Sequence, residues 1–239
     1  MFWLSDEQWA VIEPLLPRSK GNARRVDDRR VISGIIHVLE VGGRRCDCPA
    51  DYGPSTTVYN RFYRWSRKRF WIDLVEALGT SIDSTCTKAH RSAQGGKGAK
   101  NQAIGPTRGR QTTKIHLLTD VIGRPFAFML TGGNAANSPL APHLLAGLKG
   151  ARYLLADKGY DANSLRRHLR LSEIVPVIPG RSNRKRKIRY DAKRYKSRHL
   201  IKNAFCRLKD FRRVATRYDK LARNFLSAVA LATLVAFWL

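Results

Sequence analysis

The sequence is short of acidic residues and of long apolar runs. Its 239 residues hold 18 Asp and Glu against 45 Lys and Arg, a net charge of +27. Such an excess indicates a polyanionic partner, of which nucleic acid is the commonest and an acidic membrane surface the alternative. The apolar stretch 225–239 is shorter than a membrane-spanning helix needs. We therefore expect a buried C-terminal helix and no membrane partner.

Cysteine is also scarce, and its spacing excludes a disulfide framework. The four cysteines include the pair Cys46-x-Cys48, but no second such pair or pair of histidines lies nearby in the sequence. A structural zinc site is therefore disfavoured. The N-terminus carries no signal-peptide pattern, so we expect a cytoplasmic protein with reduced thiols.

Residues 1–76 predict helices. Ser5 with Gln8 three residues later is a capping pattern, and a second helix is expected from Asp27 to the glycines at 42 and 43. After a Gly/Pro turn, a third helix is predicted over 55–68, capped by Ser55, with Arg61 and Arg64 among its exposed residues. This layout is typical of a helix-turn-helix DNA-binding unit, although plain packing in a helical bundle accounts for it equally well.

From residue 77 the pattern changes to short apolar runs separated by turns. After a helix over 71–78, it predicts a strand around Asp83, a basic loop over 88–111, a hairpin over 112–130, and then alternating helices and strands to the C-terminus. In this region we expect His116 to be a core or cross-strand residue, and Asp161 to cap a helix or to assist Asp157. The last predicted strand, 174–179, contains prolines that favour a sheet edge. We expect an α/β domain over 77–239, following a helical DNA-binding region over 1–76.

The most basic part of the chain lies in its last quarter. Between residues 181 and 220 there are 17 Lys and Arg residues and three Asp. Within it, 195–209 predicts one amphipathic helix, because Leu200, Ile201, Ala204, Phe205 and Leu208 share a face. A second stripe on the same helix holds Tyr195, Arg198, Lys202 and Lys209. On its own, this stripe is also explained as a solvated basic face.

Two acids lie on or beside apolar strands, where an unpaired carboxylate is costly. Asp83 lies in the first predicted strand of the α/β domain, and Asp157 ends the strand predicted over 153–157. Carboxylates that converge at strand ends are suitable ligands for Mg²⁺, and two such ions can support phosphodiester cleavage. Ion pairs with Lys88 and Lys158 are the structural alternative.

Several motifs together resemble the transposases of IS5-type bacterial insertion sequences, of the IS4-like DDE group. They are Ile82-Asp83-Ser84-Thr85, Leu155-Ala156-Asp157-Lys158-Gly159-Tyr160-Asp161, and Tyr195-x2-Arg198-x3-Lys202-x6-Lys209. The resemblance implies an RNase H-like core, a mixed sheet flanked by helices, that uses two Mg²⁺ ions, with Mn²⁺ as the substitute. It further implies binding of double-stranded DNA at transposon ends and target, strand cleavage and joining, and a homo-oligomer on DNA associated with the nucleoid.

By the same resemblance, Asp83 and Asp157 are the first two metal-binding catalytic acids. Tyr195, Arg198 and Lys209 are expected to hold DNA phosphates. We assign the same role to basic residues elsewhere in the chain, namely Arg61, Arg64, Arg184, Lys185, Arg186 and Lys187.

The sequence departs from the family motif at one catalytic position, where Lys202 replaces the third metal-binding Glu. A protonated lysine cannot bind Mg²⁺ and would repel it. Three explanations remain: this copy is catalytically degraded, another acid such as Asp191 or Asp210 supplies the ligand, or two acids and water support weak activity. The rival functions are a catalytically inactive DNA-binding remnant that regulates transposition, and a basic RNA-binding protein, which leaves the two acids unexplained.

Overall fold

The computed structural model describes residues 1–16, 27–68, 71, 81–95, 102–120, 122–146 and 151–238. Its α-helices are α1 (Asp6–Ile12), α2 (Asp28–Val41), α3 (Ser55–Arg67), α4 (Ala141–Leu145), α5 (Asn163–Leu171), α6 (Ala192–Tyr195), α7 (His199–Asp210), α8 (Arg212–Ala215) and α9 (Ala222–Phe237). Its strands are β1 (Ser81–Ala89), β2 (Gly105–Thr107), β3 (Arg110–Thr119), β4 (Pro125–Gly132), β5 (Tyr153–Leu155), β6 (Val175–Val177) and β7 (Thr216–Arg217). The fold is mixed α/β, as predicted.

Strand β1 lies at the centre of one mixed sheet. It pairs antiparallel with β3, which also pairs with β4 and β2. On its other side β1 runs parallel to β5, and β5 runs parallel to β6. The order β4-β3-β1-β5-β6 fits the RNase H-like core that the family resemblance implied. The hairpin expected over 112–130 corresponds to β3 and β4, and β6 lies at the sheet edge, as its prolines predicted.

The N-terminal helices begin where the sequence predicted. Ser5 and Gln8 form a reciprocal capping box at the start of α1. Asp27 caps α2 through the backbone N–H of Arg29, and α2 ends at Gly42, whose φ of 78° favours glycine. The cap predicted at Ser55 is wrong, since Ser55 is already the first residue of α3 and its side chain makes no cap.

Helix α9 forms the centre of the helical layer. Its residues 227–234 are all buried, and the hydroxyls of Ser227 and Thr233 donate hydrogen bonds to carbonyls four residues earlier. A helix that is apolar on all sides belongs in a core, so the prediction of a buried C-terminal helix is confirmed. Helices α2, α3 and α8 pack against it and continue one hydrophobic core from the sheet to the N-terminal helices. Across the described ranges, no helix is long and apolar enough to cross a membrane.

One predicted element differs from the structure, and one lies mostly outside the described residues. The region 88–111 is not a single loop: β1 extends to Ala89, β2 pairs with β3, and β3 starts at Arg110. Short strands such as β2 depend on their partner strand rather than on an apolar run, so periodicity does not reveal them. The helix expected over 71–78 lies outside the described residues, apart from the buried Trp71.

Candidate active site

The register of the parallel strands brings Asp83 and Asp157 side by side. Ser81 in β1 pairs with Leu155, the last residue of β5. Each acid follows its paired residue by two positions, so the two acids lie at the same level of adjacent strands. Side chains two residues apart in a strand point to the same face, which explains why both carboxylates meet on one side of the sheet.

Backbone hydrogen bonds orient the two carboxylates. Oδ1 of Asp83 accepts the N–H of Ser84 at 2.8 Å, and Oδ1 of Asp157 accepts the N–H of Gly159 at 2.9 Å. The two Oδ2 atoms face a single cation, the guanidinium of Arg198. Its Nη2 donates a hydrogen bond to Asp83 Oδ2 and lies 4.0 Å from Asp157 Oδ2. The two acids therefore face Arg198, rather than Lys88 and Lys158 as the structural alternative had it.

Burial distinguishes the two acids. The side chain of Asp83 is 8% exposed and that of Asp157 is 33% exposed. Burial raises the pKa of Asp83, and the negative charge of Asp157 raises it further, while Arg198 and the Ser84 N–H act in the opposite direction. Desolvation prevails, so Asp83 holds its charge at an energetic cost that a bound cation can offset.

Neutral polar groups lie behind the carboxylates. The Tyr160 hydroxyl is hydrogen-bonded to Ser84 and lies 3.4 Å from Nδ1 of His116, whose Nε2 is 2.9 Å from the Thr131 hydroxyl. Burial raises the pKa of Tyr160, and burial next to the charge of Lys114 lowers the pKa of His116 to about 4. These groups stay uncharged, so they link β3, β4 and the turn after β5 without adding charge. The prediction that His116 is a core residue is confirmed.

Tyr160 belongs to this site, although the sequence pattern predicted no role for it. It is fully buried, and a short 3-10 turn after Asp157 carries it behind the carboxylates. Its position three residues after Asp157, within the motif 155–161, is the signal that could have indicated its role.

Arg198 reaches the acids from a helical segment that has three parts. Helix α6 ends at Tyr195, residues 196–198 form a 3-10 turn, and α7 begins at His199. The single helix predicted over 195–209 is therefore interrupted at its first turn. Four of the five residues of the predicted apolar face are buried in α7, namely Ile201, Ala204, Phe205 and Leu208, and Leu200 is half-buried.

Only part of the polar stripe of this segment lies close to Asp83 and Asp157. Tyr195 is half-buried, with its ring 6.0 Å from the Arg198 guanidinium. Lys202 and Lys209 are exposed. Because Lys202 follows Arg198 by four residues in helical backbone, it lies on the same side of the helix, one turn further on.

No third carboxylate joins Asp83 and Asp157 in the described part of the chain. Asp191 caps α6 through the N–H of Arg194 and pairs with the Arg194 guanidinium. Asp210 is exposed at the end of α7. Among the described residues, no group of three or more His, Cys, Asp or Glu side chains is placed to hold a metal ion.

The donor set therefore fits one Mg²⁺ rather than two. Two carboxylates with one oxygen each directed to the same space are typical of a Mg²⁺ site that is completed by water and substrate phosphate. Arg198 holds a positive charge in that space, and its Nε is buried without a hydrogen-bond partner in the described structure. A second ion would need a third carboxylate. The family resemblance implied a Glu at position 202, where this sequence has Lys202.

The basic loop predicted to bind DNA is anchored by Asp161. This acid accepts hydrogen bonds from Arg166, from Arg184 and from the N–H of Arg181. Burial alone would raise its pKa, but these three donors together lower it to about 2. The helix cap expected at Asp161 is wrong, since Ala162 occupies that position. Arg184 is half-buried, whereas the next three predicted DNA contacts are exposed, namely Lys185, Arg186 and Lys187.

Of the two arginines of α3 that were predicted to bind DNA, Arg64 is exposed and Arg61 is buried. Arg61 is 6% exposed, pairs with Asp28 at the start of α2, and lies over the ring of Trp65. The predicted exposure of Arg61 is therefore wrong. The Arg61 side chain faces the contact between α2 and α3, where Asp28 in the first turn of α2 neutralises its charge.

Comparison with known proteins gives family matches over nearly the whole chain. Residues 76–237 match the family described as "Transposase DDE domain", and residues 4–75 match "Putative transposase of IS4/5 family". The chain belongs to the DDE transposases of the IS4/5 family.

Individual relatives agree with this assignment. The chain is 38% identical over 125 residues to "Putative transposase for insertion sequence element IS6501" of Brucella ovis, covering 51% of this chain and 94% of the relative. It is 33% identical over 126 residues to "Putative transposase for insertion sequence element IS402" of Burkholderia cepacia, covering 48% of this chain and 57% of that one. A piggyBac transposase solved in a synaptic complex with hairpin DNA aligns with a TM-score of 0.41 and 16% identity, over 77% of this chain and 50% of that chain.

Proposed function

We propose that this transposase binds the terminal inverted repeats of its insertion sequence and cleaves and joins DNA strands in a Mg²⁺-dependent reaction that Lys202 impairs. The observation that carries the proposal is the convergence of Asp83 and Asp157 on one cation, Arg198. Two carboxylates that already share a cation are arranged to share a metal ion.

Asp83 and Asp157 would hold Mg²⁺, which activates water and stabilises the leaving oxygen in phosphodiester cleavage. The backbone N–H groups of Ser84 and Gly159 orient these carboxylates before any ligand arrives. Arg198 neutralises them in the free protein and is within reach of a phosphate that enters the site. Mn²⁺, which also accepts oxygen ligands, is the expected substitute.

Lys202 weakens this chemistry through its charge. Replacing it with Glu changes the local charge from +1 to −1. At a separation of about 6 Å and the dielectric constant of water, the attraction for a divalent ion rises by roughly 3 kcal/mol, about 100-fold in affinity. The impairment thus follows from one side chain on an otherwise preorganised site.

DNA binding is proposed for exposed cations on the same molecule. Lys185, Arg186 and Lys187 extend from the loop that Asp161 anchors, and Lys209 lies on the exposed face of α7. Arg64 lies on the exposed side of α3, which would be the second helix of a helix-turn-helix unit. Two transposon ends must be brought together, so a homo-oligomer assembled on DNA in the cytoplasm is part of the proposal.

A cleavage assay tests this function. The full chain and Lys202→Glu are incubated with Mg²⁺ or Mn²⁺ and a duplex that carries the DNA flanking the coding region. We expect weak nicking by the natural chain and at least tenfold faster nicking by Lys202→Glu. Lys209→Glu makes the same charge change further along α7 and should not increase the rate.

The assay also decides for or against the inactive remnant. Equal activity of the natural chain and Lys202→Glu would contradict the role assigned to Lys202. Specific binding of the end duplex without nicking by either form would identify a DNA-binding remnant. If neither specific binding nor nicking occurs, the proposed function is wrong.

A further inference from the structure

A second large cleft lies away from the paired acids. It opens between α3 and the segment that joins α8 to α9, and its volume is about 1020 Å³. Pockets of this size enclose small ligands, so the cleft can accept one or two nucleotides, whereas a DNA duplex is far too wide. Its lining residues come from both the N-terminal helices and the α/β domain.

Aromatic rings line both walls of this cleft. Tyr59 and Tyr63 lie on α3 with ring centres 6.2 Å apart and ring planes 20° apart. Across the cleft, Tyr218 packs against His90 at 4.8 Å. Tyr59 is 43% exposed, and the Arg45 guanidinium lies 5.9 Å from the centre of its ring. Flat rings of this kind are platforms on which unpaired bases stack.

The cleft also presents buried polar atoms without partners in the described structure. Oδ1 of Asn224 is an acceptor, and Nη2 of Arg45 is a donor. Asn224 is 5% exposed and the side chain of Arg45 is 11% exposed. Buried polar groups are nearly always hydrogen-bonded, so these two atoms have hydrogen-bonding capacity that the described residues leave unused. The edge of a nucleobase carries donors and acceptors of this kind.

The charge of the cleft favours an anionic ligand. Asp219 lies between Arg45 at 2.9 Å and Arg213 at 3.6 Å, so two cations face one acid. Lys220 is exposed beside them and adds a further positive charge. A nucleotide phosphate matches this excess, whereas a neutral apolar ligand does not.

We propose that this cleft binds one or two unpaired nucleotides of a DNA strand, with a base stacked on Tyr59 and its phosphate held by the cations around Asp219. The inference rests on the proposed DNA-binding function, because it assigns a place to bases that leave the duplex. Enzymes that take a base out of the duplex hold it in a pocket, stacked between aromatic or apolar side chains.

The test uses a fluorescent four-nucleotide single strand, whose binding to the full chain is followed by anisotropy at 0.3 M salt to suppress non-specific attraction. Tyr59→Leu should weaken binding at least tenfold, because stacking of a base on an aromatic side chain supplies that much. Trp3→Leu is the matched control, since Trp3 is 47% exposed and lies outside the cleft. In parallel, a strand containing 5-iododeoxyuridine is photo-crosslinked, and the attachment points are mapped by mass spectrometry.

Crosslinks at Tyr59, Tyr63 or Tyr218 and selective weakening by Tyr59→Leu would support the proposal. Equal weakening by the two variants, an unchanged affinity of Tyr59→Leu, or crosslinks only on the loop 181–189 would overturn it. Binding of the end duplex is measured on the same samples. If the natural chain binds the end duplex but not the single strand, the cleft proposal alone is refuted, whereas failure of the natural chain to bind either DNA refutes the proposed function.

Discussion

The ion pair between Arg198 and Asp83 predicts that Arg198→Met destabilises the protein and that Mg²⁺ restores part of the loss. The two side chains are 13% and 8% exposed, so the substitution leaves a buried carboxylate unpaired. Breaking a buried pair costs about 3–5 kcal/mol. For a domain of this size each kcal/mol lowers Tm by roughly 2–4 °C, so a decrease of at least about 6 °C is expected.

Mg²⁺ should stabilise the variant more than the natural chain, since the guanidinium no longer occupies the space between the acids. At ten times its Kd a ligand adds about 1.4 kcal/mol. Thermal unfolding with and without MgCl₂, at ionic strength matched with NaCl, measures the difference. Arg198→Lys keeps the charge and should lie between the two. An unchanged Tm, or equal stabilisation of both proteins by Mg²⁺, would contradict the shared-cation interpretation.

Two further predictions concern pH and the anchored basic loop. The pKa of His116 is lowered to about 4, so the unfolded chain binds more protons between pH 4 and 6.5 and stability falls on acidification. From pH 6.5 to 5 the loss attributable to His116 should be about 1.6 kcal/mol in urea unfolding, and His116→Gln should remove this part of the pH slope. Equal slopes would refute the assignment. Asp161→Asn leaves the buried Arg166 without its acid and should cost about 3–5 kcal/mol by the same measurement. Asp47→Asn removes an exposed ion pair with Arg44 and is the control, expected to show no measurable loss.

The local sequence determined most individual elements. The capping box at Ser5, the end of α2 at Gly42, the hairpin β3–β4 and the buried α9 were all predictable. Each depends on residues close in sequence, namely a side chain that caps nearby N–H groups, a glycine that permits positive φ, or an apolar pattern. The two strand-borne acids were also identified in this way, because a carboxylate next to a buried strand is conspicuous.

Contacts between distant residues could not be predicted in the same way. Periodicity identified Arg198 as part of a polar stripe, but not as the bridge between acids 115 residues and 41 residues earlier in the chain. Arg61 was expected on the surface and is buried against Asp28, while Asp161 was expected to cap a helix and instead binds Arg166 and Arg184. A charged side chain takes its partner from whatever the fold places beside it, and sequence spacing does not encode that choice.

The sequence by itself determined the family, the two candidate metal-binding acids and the replacement of the expected Glu by Lys202. Only the tertiary structure decided that Asp83 and Asp157 share one cation, that this cation is Arg198, and that the described chain supplies no third carboxylate at the site. The physical reason is the register of β1 and β5: pairing Ser81 with Leu155 sets the two acids level, and only the folded sheet fixes that register.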